Sequence, residues 1–303
     1  MTHSLALVLL LGFELSYYLL IVQTGIAGHY NSDLITLFPM FAGGVLGTFL
    51  GGRSWGAINN PIHKIMIALA LQLGLSFLYP NYNVFTLLLL GIAVGVMAPL
   101  GIYLFKAKQQ KELLLALAIA YTTGTFFFTS VVDDRLWMAV LFTSITLLSV
   151  FILKDYRVET DAKVVSHSFL SYTPLMLWIL LDSNLFETLA RHASLDIWSK
   201  YTFIIITFHL LGLIASYFTR TSKIKQHIFI AFLFIGSYTF SYFEYPIALA
   251  MIYPFVISYY NVVVFTTLSQ EMSVSKLSFM MIFVGWIASG LGLAIALKTS
   301  TLK

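Results

Sequence analysis

The sequence predicts an all-α polytopic membrane protein, with about eleven transmembrane helices in two pseudo-repeated bundles. Three observations carry that expectation. Of 303 residues, 59% are hydrophobic and only 10% are charged, whereas a soluble domain carries about 25% charged residues. Apolar stretches of the roughly 20 residues needed to cross a bilayer recur along the whole chain between short polar connectors. Finally, a shift of 168 residues lays Glu14 over Asp182, Ser16 over Asn184 and Gly44 over Gly212. That register pairs the first span with the seventh and the second with the eighth. Parallel halves of this kind are one repeat plan of membrane transporters.

The spans can be taken in order. The first, 4–22, lies in MTHSLALVLLLGFELSYYLLIV, which lacks the basic start and small-residue cleavage site of a signal peptide, so it is expected to stay in place. The second, 33–52, carries Gly43, Gly47 and Gly51 on one face, a spacing that lets helices approach closely. The third, 62–80, stops at Tyr79-Pro80-Asn81. The fourth, 84–105, repeats the small-residue spacing with Gly91 and Gly95 ahead of Pro99. Lys106–Lys111 separates it from the fifth, 112–131, and Asp133-Asp134-Arg135 opens the way to the sixth, 136–153.

Lys154–Leu170 is the longest connector, of mixed charge and without helical periodicity, and reads as a flexible linker. It divides the chain into a bundle over 1–153 and another over 171–303. The seventh span, 171–190, is followed by 197–219, by 226–243 beyond Arg220–Lys225, by 246–268 beyond Glu244-Tyr245-Pro246, and by 277–297. The last carries the small-residue pairs Gly285/Ser289 and Ala288/Gly292. Pro254 is expected to break or kink the tenth span, because it removes a backbone hydrogen bond.

Basic residues favour cytoplasmic loops. With the N-terminus inside, twelve of the 17 basic residues, from Arg53 to Lys276, fall on the cytoplasmic side. Only Arg135, Arg191, Lys200, Lys298 and Lys303 fall outside. The expected setting is therefore the cytoplasmic (inner) membrane, multi-pass, with a cytoplasmic N-terminus. The net charge of +4 is explained by this loop asymmetry and gives no reason to expect a nucleic-acid partner.

Polar residues inside such spans are the candidate functional groups, because an ionisable side chain at depth costs a few kcal/mol or more. Glu14 lies about ten residues into its span, near mid-bilayer at about 1.5 Å per residue. Asp182 lies as deep in LMLWILLDSNLFETLAR. Two acids at one depth, one from each half, are expected to face each other across a central cavity. Each could hold a proton, a metal ion or a cationic substrate, or a packing hydrogen bond. Asn184 and Glu187 fall about 60° apart on one helix face, while Asp182 and Glu187 diverge by about 140°. Glu187 is thus either a cavity group or a surface partner of Arg191 at i+4. His209 is either a ligand or a structural hydrogen-bonder. Tyr253, Tyr259, Tyr260 and Asn261 surround the Pro254 position and either line a cavity or fill the core; Gln72 reads as packing glue. There are no cysteines, no phosphate loop, no H-E-x-x-H and no G-x-S-x-G. Neither an enzyme nor a resident metal or cofactor is therefore expected.

Six spans, a basic linker and a repeat-like second set resemble the major facilitator superfamily of secondary transporters. The signature after that family's second span, Gly-x-x-x-Asp-Arg-x-Gly-Arg-Arg/Lys, survives only at Arg53, with Gly52 at its aspartate and Trp55 at its glycine. The fifth and fourth spans lack the Gly-Pro motif and the membrane arginine of its drug antiporters. The resemblance implies peripheral third, sixth, ninth and twelfth helices and cavity-lining first, fourth, seventh and tenth; the chain is one span short of the usual twelve. It also implies alternating access at a midplane site, with Glu14 and Asp182 binding substrate or coupling ion. Asn184, Glu187, His209, Tyr253, Tyr259, Tyr260 and Asn261 would stand around them. The expected activity is secondary active transport of a small solute by a monomer, with a proton as candidate coupling ion. The alternatives are a ten-span drug/metabolite-type transporter and a non-transporting membrane assembly factor.

Overall fold

The computed structural model describes residues 2–30, 33–56, 58–105, 110–156, 169–191, 195–219, 222–270 and 273–300. Most of the expected linker, 157–168, lies outside the described residues. Within them, all eleven expected spans are helices. The first, α1, runs over His3–Tyr17, continues as a π-helix over Tyr18–Ile26 and ends with Ala27–His29. Then follow α2 (Leu34–Gly51), α3 (Pro61–Ser76), α4 (Val84–Leu104), α5 (Gln110–Phe126) and α6 (Val132–Ile152). A 3-10 turn over Phe169–Tyr172 leads into α7 (Thr173–Arg191), and a short turn over Ile197–Lys200 leads into α8 (Thr202–Phe218). Next come α9 (Lys223–Tyr242) and α10 (Pro246–Ser269). The last, α11, joins Val274–Met281, a π-helical stretch Ile282–Ile287 and Ala288–Ser300. Seven of these helices are long and apolar enough to cross a membrane, and α3 and α8 are shorter apolar ones. The protein is a multi-pass membrane protein.

Local chemistry sets the starts. Asp33 caps α2 by accepting from the Thr36 backbone N–H at 3.0 Å, and Asn60 accepts from Ile62 at 2.9 Å ahead of Pro61. Asn83 and Thr86 form a reciprocal capping box at the start of α4. Pro254 does not interrupt α10, contrary to the break expected from its missing N–H. Helices in lipid tolerate proline where their neighbours satisfy the freed groups. Large apolar side chains point outward, Ile35 at 85% exposure and Phe203 at 77%, as they must where the surrounding solvent is hydrocarbon.

The contacts group into two compact units. One holds α1–α6 together with Thr266–Ile282, and the other holds α7 through Phe265 together with the chain from Phe283. In the first unit, α2 and α4 pack backbone to backbone. A Cβ on Gly43 would strike the Leu88 carbonyl, one on Gly47 that of Ile92, one on Gly91 that of Met40 and one on Gly95 that of Gly44. Thr48 Oγ1 donates to the Gly95 carbonyl across this seam at 3.0 Å. The start of α11 packs on α2 and α4.

In the second unit, α8 meets α10 at Gly212, where a Cβ would lie 2.5 Å from the Phe255 carbonyl. A Cβ on Gly292 of α11 would strike the Leu180 carbonyl of α7. Gly285, grouped with Ser289 in the sequence pattern, has nothing within 4 Å of such a Cβ, so it is no part of a close helix seam.

Candidate functional site

In the second unit the site is built on α7 and α10. Asp182 sits mid-helix in α7 and remains partly exposed. Tyr253 and Tyr260, two turns apart on one face of α10, converge on its carboxylate. The Tyr253 hydroxyl donates to Oδ1 at 2.8 Å, and that of Tyr260 donates to Oδ2 at 2.6 Å. Those are the short lengths of charge-assisted hydrogen bonds. Among the described residues no lysine, arginine or histidine pairs with Asp182; Arg191 pairs with Glu187 instead.

Helix α7 passes through Ser183 and Asn184 without interruption, so neighbouring polar residues diverge around it. Asn184 donates to the Gly292 carbonyl at 3.3 Å and accepts from Tyr238 at 2.8 Å. Ser183 donates to the Ser289 carbonyl at 2.8 Å. Glu187 bonds Arg191 at 2.9 Å, one turn on, as the surface-pair alternative required.

The other expected site residues are turned elsewhere. His209 is buried with Nδ1 2.7 Å from Ser258 Oγ, an α8–α10 contact. Tyr259, rotated about 100° from Tyr260, places its hydroxyl 2.9 Å from Thr219 Oγ1. Asn261 folds back onto its own helix, donating to the Ile257 carbonyl at 3.0 Å. Asp182, Tyr253 and Tyr260 are brought together, while Asn184 is engaged with Gly292 and Tyr238.

In the first unit Glu14 is 8% exposed and enclosed by α3 and α6. Gln72 of α3 donates from Nε2 to Glu14 Oε2 at 3.1 Å and to Thr143 Oγ1 of α6 at 3.2 Å. Glu14 Oε1 and Gln72 Oε1 are both buried with no hydrogen-bond partner among the described residues. Gln72 is therefore more than packing glue: it holds the acid.

Arg135, expected in an outer loop, is also buried, at 8% exposure. Its guanidinium donates to the Leu20 carbonyl at 2.7 Å, Thr24 Oγ1 at 2.9 Å, the Phe128 carbonyl at 2.5 Å and the Ser130 carbonyl at 3.1 Å. Leu20 and Thr24 lie in the π-helical part of α1, whose wider turns leave carbonyl oxygens accessible from the side. Nothing in the spacing of Asp133-Asp134-Arg135 signalled this role. Tyr238, which donates to Asn184, is likewise indistinguishable in sequence from an interfacial tyrosine.

Among the described residues no group of three or more His, Asp or Glu could hold a metal ion. What the arrangement offers is one carboxylate per unit, each set by neutral donors from neighbouring helices.

Comparison with solved structures decides the fold. The chain superposes on the major facilitator superfamily proton:xylose symporter XylE, bound to 6-bromo-6-deoxy-D-glucose, with a TM-score of 0.62 and 14% identity. The match covers 99% of this chain and 89% of that one. It also matches the major facilitator superfamily transporter FucP in its outward conformation, with a TM-score of 0.54, 15% identity, and coverage of 98% and 91%. The chain has the major-facilitator fold. That fold speaks against the drug/metabolite-type alternative. No protein-family model matches the sequence, and no curated protein sequence does. The major-facilitator fold is one of secondary transporters, typically not enzymes.

Proposed function

We propose that the protein is a secondary active transporter of a small solute. It works as a monomer by alternating access in the cytoplasmic membrane, with its N-terminus inside and the 154–170 stretch linking its two bundles. The observation that carries the reading is Asp182: a partly exposed carboxylate in the middle of a membrane helix, held by two tyrosines, without a basic partner among the described residues. Such groups are costly at depth and characteristically belong to solute and ion routes. Fold similarity over nearly the whole chain supports the same reading.

Proton coupling is the second part of the proposal, and Glu14 is its group. Its Oε1 and the Oε1 of Gln72 are two buried acceptors without a donor, and a proton on Glu14 supplies one. Proton symport, named for XylE, supports that chemistry by analogy. Asp182 then meets the solute, with Tyr253 and Tyr260 fixing its geometry.

The test is flux in proteoliposomes. Solutes that raise the unfolding temperature of the purified protein are offered against an imposed pH gradient, and solute uptake and lumenal pH are followed together. Asp182→Asn is expected to abolish uptake. Glu14→Gln is expected to leave solute exchange while losing its response to the gradient. Normal flux with normal pH response in both variants refutes the roles given to the two acids, whereas no flux of any solute in the unaltered protein leaves the assembly-factor reading, in which the acids only pack.

A further inference from the structure

We infer that the solute is an organic cation, whose charged end sits on Asp182 among the aromatic rings packed around it. The inference rests on the transport reading and adds the chemical class of the substrate.

The argument starts from what the polar groups of the second unit can still do. The Tyr253 and Tyr260 hydroxyl protons are committed to Asp182. The Asn184 amide donates once to the Gly292 carbonyl and accepts once from Tyr238. His209 and Asn261 are engaged with Ser258 and the Ile257 carbonyl. A hydroxyl-rich neutral solute could add hydrogen bonds to the remaining lone pairs of the carboxylate, but it would leave the negative charge uncompensated. The unmet demand at this place is of another kind. It is a negative charge whose described partners are all neutral, on a side chain that is still partly exposed.

The surroundings fit the same answer. Trp198 lies against Tyr253 with ring centroids 6.3 Å apart at 65°, and against Phe186 at 5.7 Å. Phe186 is one helical turn from Asp182 on the same face of α7. Tyr260 packs on Phe234 at 5.7 Å. Aromatic faces attract cations through their quadrupole, most strongly where water is excluded. A carboxylate set among tyrosine, tryptophan and phenylalanine therefore selects for positive charge on an apolar body. It disfavours anions.

The experiment measures equilibrium binding by calorimetry on the full chain in lipid nanodiscs, using three probes of one shape. 2-Phenylethylammonium is the cation, 2-phenylethanol the neutral analogue and phenylacetate the anion. The cation is expected to bind at least about tenfold more tightly than the alcohol, with no detectable binding of the anion. Asp182→Asn is expected to erase the preference for the cation. Phe186→Leu, which keeps the carboxylate and its two tyrosines, is expected to weaken cation binding about threefold and alcohol binding less. Equal binding of cation and alcohol overturns the inference, as does a cation preference that survives Asp182→Asn. If Asp182→Asn fails to fold, Phe186→Leu decides: loss confined to the cation supports the site, and no loss sinks it. Cation binding without flux in proteoliposomes would refute transport and keep this site. Flux of an uncharged solute without cation preference would do the reverse.

Discussion

The seam between α2 and α4 can be tested with a single methyl group. Gly47→Ala places a Cβ against the Ile92 carbonyl of α4, inside van der Waals contact, with the Ile92 carbonyl carbon and Cα each at 2.8 Å. All three atoms are backbone, so no rotamer change relieves the overlap; the helices must separate. Overpacking of this kind costs about 1–3 kcal/mol. Separation also stretches the 3.0 Å bond from Thr48 to the Gly95 carbonyl, and interhelical bonds in membrane proteins average about 0.6 kcal/mol. A loss of about 2–3 kcal/mol is therefore expected, read from the denaturant midpoint of the purified protein in mixed micelles. Gly74→Ala is the internal control, because a Cβ there has nothing within 4 Å. It should change stability by no more than about 0.5 kcal/mol. If Gly47→Ala unfolds at the wild-type midpoint, or Gly74→Ala loses as much, the close-approach argument fails.

Three further outcomes follow from contacts outside that seam. Arg135→Gln removes the donors to the Phe128 and Ser130 carbonyls and leaves Leu20 only Thr24 Oγ1, so stability should fall by about 1–3 kcal/mol; Arg135→Lys should not restore it, since one ammonium cannot span that fork of acceptors. Recovery with lysine would show that charge alone matters there. Glu187→Gln breaks only an i,i+4 pair with Arg191, so stability should fall by about 0.3–0.5 kcal/mol and flux in proteoliposomes should stay within about twofold of wild type. A flux defect comparable to that of Asp182→Asn would return Glu187 to the site. Asp33 accepts from the Thr36 hydroxyl and backbone N–H, which holds its carboxyl below the usual value of 3.8. A lowered value in the folded state means that this cap stabilises above the ordinary aspartate range and is lost as pH falls through it. Asp33→Asn, an equally good cap, should remove that part of the acid sensitivity, measured as the unfolding temperature between pH 5 and about pH 2.

Helix existence was legible because it follows from local physics. In a hydrocarbon solvent every backbone group must be bonded within its own segment, so an apolar run of sufficient length is a helix whatever surrounds it. The glycine seam of α2 and α4 was legible for a similar reason, since the small-residue spacing repeats on both helices. Asp182 was legible because charge is rare and costly where it lies. By contrast, Tyr253, Tyr259, Tyr260, His209 and Asn261 looked alike as polar residues near Pro254. Only Tyr253 and Tyr260 proved to share a face with the acid.

The amino-acid sequence by itself determined a multi-pass helical membrane protein, the acids that such a protein must explain, and the glycine faces along which helices close. Tertiary structure decided which partners the two deep acids have, Gln72 for Glu14 and two tyrosines for Asp182, and it chose for Glu187 the i+4 partner, Arg191, that the sequence had offered. It also turned Arg135 from a loop charge into a buried clamp on the wide turn of α1. The physical reason is one of range. Burial and helix formation depend on a window of neighbouring residues, whereas a hydrogen bond between helices depends on rotations about each axis that no single segment encodes.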